Sequence, residues 1–154
     1  FAQLTPEELE PSISSCGLYK NKAKNIVAAS KIIQDQYGGE VPHTKEQLTA
    51  LPGVGGKTAN VILAVGFGIP ALAVDTHVFR VANRLGLAHT RTPEQTEAAL
   101  CALIPKEKWA DAHHWLIWHG RKICAARHPD CERCPLQGLC EYRQQHSKTL
   151  PKTQ

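Results

Sequence analysis

The sequence predicts an all-α fold, and three observations support that class. Apolar residues recur at helical spacing in several segments, most clearly at Ala23, Ile26 and Val27. Capping residues precede these segments, and Gly or Pro follows them. Sustained alternation of apolar and polar residues, which would indicate strands, is almost absent. We therefore expect helices joined by short turns.

Each helix of the N-terminal half has its own start or stop signal. Thr5-Pro6-Glu7-Glu8 is a capping box with Pro at the first helical position, so a short helix begins there. The next helix covers residues 20–37 and ends at a glycine pair. Thr44 caps a third helix that leads into a glycine-rich turn, and a fourth covers about residues 57–67. Because the fourth is apolar almost all round, we expect it to be buried, in a helix-hairpin-helix arrangement.

Three further helices are predicted in the C-terminal half. Asp75 precedes the first, which Gly86 ends, and Thr92 caps the second. The third covers residues 109–124 and carries all three Trp residues, which are most simply explained by packing in the core or between lobes. Residues 146–154 are predicted to form a polar, frayed tail.

The composition indicates an ordinary globular protein of mildly basic character. The 154 residues are 42% hydrophobic and 21% charged, which suits one domain or two small lobes. Lys and Arg number 18 against 14 Asp and Glu, and the net charge of +4 is compatible with a polyanionic partner. Glycine and proline interrupt the most apolar stretch, residues 61–74, so no transmembrane helix is expected there. No signal peptide is visible.

The turn at residues 51–58, Leu-Pro-Gly-Val-Gly-Gly-Lys-Thr, has the character of an anion-binding site. Three glycines in four positions let the backbone adopt positive φ and approach another backbone closely. The helix that follows would aim its free amides at a bound phosphate. Gly-Gly-Lys-Thr also occurs in the phosphate-binding loop of nucleotide hydrolases, but that pattern requires Gly where Leu51 stands.

Lys57 and Asp75 are the candidate catalytic residues. Lys57 stands in a first helical turn, where a cation opposes the helix dipole. That positive end, with partial burial, would favour a neutral and nucleophilic amine, although a solvated surface lysine is the alternative. Asp75 is in the usual position of an N-cap. A carboxylate held by helix amides also stays ionised, and it could accept a proton or stabilise a developing cation.

Six cysteines divide into two isolated residues, Cys16 and Cys101, and a group of four with metal-site spacing. Six, two and five residues separate the members of the group, Cys124, Cys131, Cys134 and Cys140. Only the middle pair is close, whereas zinc sites usually have two close pairs, so iron and sulfur are favoured over zinc. Mutual disulfides are the alternative. Such a site could hold a small lobe folded without being catalytic.

Basic residues near these features could together line a nucleic-acid surface, although each alone is an ordinary solvated charge. They are Lys20, Lys22, Lys24, Arg121, Lys122 and Arg127.

Together these motifs resemble the endonuclease III branch of the helix-hairpin-helix DNA glycosylase superfamily. The resemblance rests on the glycine turn followed by Ala59, on Val-Asp-Thr-His-Val-Phe-Arg-Val at residues 74–81, and on the four-cysteine spacing. Gly-Leu-Tyr-x-x-Lys-Ala at residues 17–23 and His-His-Trp-Leu-Ile at residues 113–117 extend it through nearly the whole chain.

The resemblance implies a bifunctional glycosylase and abasic-site lyase that removes oxidised pyrimidines from double-stranded DNA. Lys57 would attack C1′ of a flipped nucleotide and form a Schiff base, and Asp75 would deprotonate the amine or stabilise the cationic sugar. The amides of Gly53, Val54 and Gly55 would hold DNA phosphate. Leu18 matches an intercalating wedge, although local packing is its alternative.

The same resemblance implies an architecture and a cofactor. Residues 1–70 would form a partial helix-hairpin-helix lobe and residues 71–145 a partial iron-sulfur cluster lobe, with a DNA-binding cleft between them. Cys124, Cys131, Cys134 and Cys140 would bind a 4Fe-4S cluster. Membrane partners are not expected, and the complete protein would be a monomer located in the cytoplasm with the bacterial nucleoid.

Two features distinguish subclasses and two depart from the family pattern. Similar adenine glycosylases carry the cluster but lack a lysine at position 57, and 8-oxoguanine enzymes have the lysine without the cluster. Because the chain begins at Phe1, it is expected to lack the family's N-terminal helices. Asp130 lies in the loop between the first two clustered cysteines, where a more positive loop would be expected. The alternatives are a monofunctional mismatch glycosylase and a non-catalytic DNA-binding module with a redox-responsive cluster.

Overall fold

The structure is a computed structural model that describes residues 1–146. Those residues form helices and turns without a β-strand, which confirms the predicted all-α class. The α-helices are α1 (Pro6–Leu9), α2 (Tyr19–Tyr37), α3 (Lys45–Thr49), α4 (Gly56–Val61), α5 (Thr76–Leu85), α6 (Pro93–Leu103), α7 (Trp109–Lys122) and α8 (Glu141–His146). Short 3₁₀ segments cover Glu10–Ile13 and Lys106–Lys108, and a π-helical segment covers Ile62–Gly66.

The chain divides into two compact units, Phe1–Leu63 and Ala64–Gln154. The division predicted from the sequence, residues 1–70, 71–145 and 146–154, stays a prediction. His146 ends α8, and the rest of the predicted tail lies outside the described residues. Among residues 1–146, no helix combines the length and the apolar composition needed to cross a membrane.

The first unit is organised around α2. Leu9 of α1 packs against Ala23 and Val27, which are buried on one face of α2. The predicted capping box is present, since the Thr5 amide donates to Glu8 Oε2 at 2.7 Å and the Glu8 amide donates to Thr5 Oγ1 at 3.3 Å. These reciprocal bonds satisfy two amides that the first turn of α1 leaves free, and so fix where the chain enters the unit.

The second unit is built on the packing of α5 against α7. Its buried core includes Val78 and Val81 of α5 and Leu116 of α7. Gly120 allows the close approach, because a Cβ at that position would lie 3.1 Å from the Val81 side chain and 3.1 Å from the side chains of His77 and Arg80. Helix α5 is therefore held tightly along the face that follows Asp75.

Two packing predictions are wrong. The helix expected over residues 57–67 is not buried throughout, because α4 gives way to the π-helical segment Ile62–Gly66, where Leu63 is buried but Val65 is 68% exposed. The wider π turn changes which side chains share a face. The Trp residues are not all packed inside. Trp115 and Trp118 are exposed on α7, on a different face from the buried Ala112 and Leu116.

Candidate active site and metal centre

The hairpin between α3 and α4 requires glycine at one position. Gly53 has φ +78°, and a Cβ built there would lie 2.7 Å from Asn25 Nδ2 and 2.8 Å from Asn25 Cβ. By contrast, Gly55 has extended backbone, with φ −91°, and a Cβ there would meet nothing within 4 Å. Gly53 therefore allows the hairpin to lie directly against α2, and a side chain at this position would push the two apart.

A groove runs between α2 and the hairpin, with an empty volume of about 550 Å³. One wall is apolar and carries the cation Lys22, and the other is the hairpin backbone. The lining residues are Lys22, Asn25, Ile26, Ala29, Pro52, Gly53, Val54 and Thr58. The groove thus brings Gly53 and Val54 beside a positive charge, although the Val54 amide itself donates to the Leu51 carbonyl at 3.1 Å.

Lys57 is the second residue of α4, as the turn pattern predicts. The expectation of partial burial is wrong, because the side chain is exposed. The reason is local: residues 55–58 of this first turn all face outward, and only Ala59 and Asn60 turn into the unit. The Lys57 amine is thereby presented directly beside the glycine turn and is open to a large substrate.

Leu18 is exceptional in its backbone and in its exposure. Within residues 1–146 it is the one non-glycine residue with positive φ, 58°, and its side chain is 79% exposed. The left-handed conformation costs a non-glycine residue roughly 1–2 kcal/mol. Burial of the side chain offsets none of this, so local packing, the alternative for Leu18, does not explain it. An apolar side chain is held outward at the start of α2.

Asp75 caps α5 with one of its two carboxylate oxygens. Oδ1 accepts hydrogen bonds from the amides of His77 and Val78, each at 2.8 Å. Both bonds hold Oδ1 in place and leave Oδ2 for another partner. The segment before Asp75 is fixed by His113, whose buried Nδ1 donates to the Ala73 carbonyl at 2.7 Å. Asp75 is therefore fixed on both sides along the chain.

Arg80 connects the start of α5 to the first clustered cysteine. Its Nη2 donates to His77 Nδ1 at 3.2 Å and to the Gly120 carbonyl at 3.0 Å. Nε and Nη2 both donate to the Cys124 carbonyl, at 3.2 and 3.0 Å. Because arginine can only donate, His77 Nδ1 must accept and carries no proton. Asp75, His77, Arg80 and Cys124 thus form one connected polar chain.

Arg84, one turn further along α5, holds the next two residues of the cysteine loop. Its Nη1 donates to the Ala125 carbonyl at 2.7 Å and its Nη2 to the Ala126 carbonyl at 2.8 Å. Nη1 also lies 3.4 Å from Cys124 Sγ. The guanidinium stacks 4.6 Å above the Tyr142 ring. Together the two arginines fix the main-chain path at the first cysteine.

The four clustered cysteines line one cavity. All six cysteines of the chain are free thiols, so the disulfide alternative is not supported. In residues 1–146 no three His, Cys, Asp or Glu side chains converge closely enough to hold one metal ion. The four thiols nonetheless line the same cavity.

Ionisation in this cavity reflects burial. The pKa of the Cys131 thiol is raised, first because burial disfavours the thiolate and also because the other three cysteines add negative charge; Arg143 acts in the opposite direction. Burial lowers the pKa of His119, whose Nε2 lies 3.7 Å from Cys134 Sγ.

A family model for HhH-GPD superfamily base excision DNA repair proteins matches residues 1–106, well over half of the chain. The chain belongs to this superfamily. Two similar curated relatives are both endonuclease III, one from Rickettsia conorii and one from Bacillus subtilis. The first is 53% identical over 140 residues, which are 91% of this chain and 67% of the relative. The second is 51% identical over 143 residues, 92% of this chain and 65% of the relative.

Among solved structures, a trapped endonuclease III-DNA covalent intermediate superposes with a TM-score of 0.89 at 46% identity. The superposition covers 95% of this chain and 69% of that one. The HhH-GPD chain described here thus spans about two thirds of the length of its relatives. The family model itself ends before Cys124, so the cysteine cavity lies beyond the HhH-GPD match.

Sequence reasoning missed four residues of this HhH-GPD site: Arg80, Arg84, His113 and Arg143. Arg80 and Arg84 are four residues apart on α5, which places both on one face, but nothing in the sequence identifies carbonyl groups 40 or more residues away as their partners. His113 was part of a quoted motif without a role. Arg143 follows the last cysteine, and nothing in the sequence indicates that its Nη1 atom is buried.

Proposed function

We propose that this chain is the catalytic part of a base-excision repair DNA glycosylase with abasic-site lyase activity. It removes oxidised pyrimidines from double-stranded DNA and cleaves the resulting abasic site through a lysine Schiff base. Because the chain spans about two thirds of its relatives, the activity belongs to the whole protein of which these residues form the larger share. Because duplex DNA is its substrate, the enzyme acts where the bacterial nucleoid lies, in the cytoplasm.

One observation carries the proposal. Lys57 is exposed in the first turn of α4, directly after a hairpin whose glycine turn lies against α2. A chain 46% identical to this one has been solved as a covalent intermediate with DNA, which requires a nucleophile in that protein. An exposed amine beside a phosphate-binding turn is the nucleophile this chain offers for the same chemistry.

The reaction proceeds through bonds that Lys57 makes and breaks at C1′ of the flipped nucleotide. The neutral amine attacks C1′, the N-glycosidic bond breaks, and the damaged base leaves with the bonding electron pair. Ring opening and loss of the amine proton give an iminium between Nζ and C1′. Removal of a C2′ proton then expels the 3′ phosphate by β-elimination, and hydrolysis of the imine releases Lys57.

Asp75 acts as the carboxylate of this reaction. The Lys57 ammonium must lose a proton before attack, and the sugar becomes cationic as the base departs. The two helix amides hold Asp75 Oδ1 in place and keep Oδ2 available for either task. Substrate phosphate is held at the hairpin by the amides of Gly53 and Gly55, with Val54 closing the turn between them through the Leu51 carbonyl, while the exposed Leu18 fills the space that the flipped nucleotide leaves.

Cys124, Cys131, Cys134 and Cys140 would hold a 4Fe-4S cluster. Three observations support this assignment: free thiols, their distribution around one cavity, and the two arginines that fix the loop beginning at Cys124. When bound, the cluster supplies four strong Fe-S bonds that tie the loop to α8, and with it a redox-active centre. The catalytic steps above use only protein side chains.

Borohydride trapping on abasic-site duplex DNA tests the proposal. Reduction converts an iminium into a stable amine, so a covalent protein-DNA band forms only if a lysine Schiff base has formed. We compare the chain with Lys57→Ala, with Lys57→Arg, which keeps the charge, and with Lys31→Ala. Lys31 is an exposed lysine of α2 in the same unit and serves as the matched control.

The expected result is a band with the unchanged chain and with Lys31→Ala, and loss of the band in both Lys57 variants. Base release without trapping or strand cleavage would instead identify a monofunctional glycosylase. DNA binding with neither base release nor trapping, in the complete protein, would identify a non-catalytic binding module. Either of these results would overturn the lyase assignment.

A further inference from the structure

Arg143 lies on α8, and one atom of its guanidinium, Nη1, has no part in the proposed reaction. Its Nη1 is buried and has no hydrogen-bond partner among the residues that the structure describes. A buried donor without a partner costs about 1–3 kcal/mol, and more when the group is charged. Native proteins rarely leave such a group unsatisfied, so something beyond the described protein atoms must accept its hydrogen bond.

The position of Arg143 narrows the choice of acceptor. Arg143 lines the cavity that the four cysteines share, and it is the one Lys or Arg among the described residues of that lining. Arg143 thus places a guanidinium, with Nη1 buried, in the same cavity lining as the four thiols.

Asp130 is the one carboxylate among the described residues that line this cavity, and it is already engaged. Its Oδ1 accepts the Arg133 amide at 3.3 Å and its Oδ2 pairs with Arg133 Nη1 at 3.5 Å. An anionic group inside the cavity would be the acceptor best matched to the Arg143 guanidinium. Four thiolates carry four negative charges, which exceed the positive charge of the cluster core that they bind. The sulfur atoms of an assembled cluster also accept hydrogen bonds.

We propose that Arg143 binds the iron-sulfur cluster, with Nη1 donating a hydrogen bond to a cluster sulfur. This inference rests on the cluster assigned to the four cysteines under the proposed function. Arg143 supplies positive charge on the α8 side of the cavity, while Arg84 supplies it near Cys124 Sγ, at 3.4 Å. Reduction adds an electron to the cluster, and a nearby cation stabilises the reduced form more than the oxidised form. Arg143 therefore raises the reduction potential.

The test compares Arg143→Met with Arg133→Met, each in the chain as purified. Both changes remove one positive charge within three residues of a clustered cysteine in sequence, but the Arg133 side chain is 86% exposed and pairs with Asp130. Iron and acid-labile sulfide are measured first. The reduction potential of the cluster is then measured by voltammetry, and its Fe-S vibrations are recorded by resonance Raman spectroscopy in H₂O and D₂O. Arg143→Lys keeps the positive charge. It replaces Arg143→Met in the comparison if Arg143→Met does not assemble a cluster.

We expect Arg143→Met to favour the oxidised cluster roughly tenfold at fixed potential, a downward shift of about 59 mV for one electron. Its Fe-S vibrations should lose part of their sensitivity to D₂O, whereas Arg133→Met should resemble the unchanged chain. Arg143→Lys should retain iron, and its reduction potential should lie between those of Arg143→Met and the unchanged chain.

A loaded cluster with unchanged potential and unchanged D₂O shifts in both Arg143 variants would overturn the role of Arg143 and leave the cluster assignment intact. Absence of iron and sulfide from the unchanged chain would overturn the cluster assignment itself, and with it the inference. The two failures are thus distinguishable in the first measurement.

Discussion

Asp75 combines a structural and a chemical task in one side chain, and a single substitution separates them. Asn is as good an N-cap as Asp, because its side-chain oxygen also accepts helix amides. Asp75→Asn should therefore change the free energy of unfolding by less than about 0.5 kcal/mol, while glycosylase and lyase rates fall roughly 10²–10⁴-fold with the loss of the carboxylate.

Asp75→Ala is the matched comparison, since it removes the cap as well. It should lose activity to a similar extent and also destabilise the protein by about 1 kcal/mol. Urea unfolding and single-turnover base release measure the two quantities. If Asp75→Asn kept normal rates, the carboxylate would be a helix cap and nothing more.

At Leu18 we expect a single substitution to raise stability and to weaken DNA binding. Asn adopts the left-handed conformation more readily than Leu, and the exposed Leu side chain contributes little burial. Leu18→Asn should therefore stabilise the protein by about 1 kcal/mol. If Leu18 is the wedge, the same variant should bind lesion DNA more weakly. Thermal unfolding, together with 2-aminopurine fluorescence opposite an abasic site, measures both, and a less stable Leu18→Asn protein would contradict the strain argument.

At the scale of one element, the hairpin depends on Gly53 and not on Gly55. Gly53→Ala places a methyl group against the Asn25 side chain and forces Ala into positive φ, so we expect a loss of roughly 2–4 kcal/mol in stability, with weaker DNA binding. In Gly55→Ala the added methyl group meets no neighbour. The free energy of unfolding should change by less than about 0.5 kcal/mol, because the weaker helix cap is offset by the lower conformational freedom of the unfolded chain. Chemical denaturation and DNA titration of both variants check this, and equal losses would refute the packing argument.

Helix starts were predictable, whereas helix faces were not. The caps at Thr5, Thr44, Asp75 and Thr92 depend on bonds within three residues, which the sequence contains in full. The exposure of Trp118 depends on which partner α7 finds, and here the partner is α5, on the side of Leu116. Instead of packing in the core, the Trp118 ring lies 5.9 Å from Lys122 Nζ at the surface.

The candidate site divides in the same way. The residue types and spacing of Lys57, Asp75 and the four cysteines could be predicted because local turn chemistry and metal-ligand spacing determine them. The exposure of Lys57 and the partners of Arg80 could not, since both depend on how distant segments pack. Long-range polar partners are the part of the site for which a sequence without its fold gives no signal.

At the scale of the whole molecule, removal of the cluster should affect the two units unequally. Four Fe-S bonds would stabilise residues 124–140 directly, whereas the core of Leu9, Ala23 and Val27 contains no metal ligand. We expect chelation of the iron to speed amide hydrogen exchange at least about tenfold across residues 124–140, with little change in Phe1–Leu63. Cys134→Ala should reproduce this pattern without chelator. Uniform acceleration along the chain would show that the cluster stabilises both units together.

Arg80 and Arg84 contact the cysteine loop through the carbonyl oxygens of Cys124, Ala125 and Ala126. Every residue carries a carbonyl oxygen, so the bonds to Ala125 and Ala126 do not depend on the side chains at those two positions. Because Ala126 is also exposed, a larger or charged residue there should leave the main-chain path beside Cys124 unchanged.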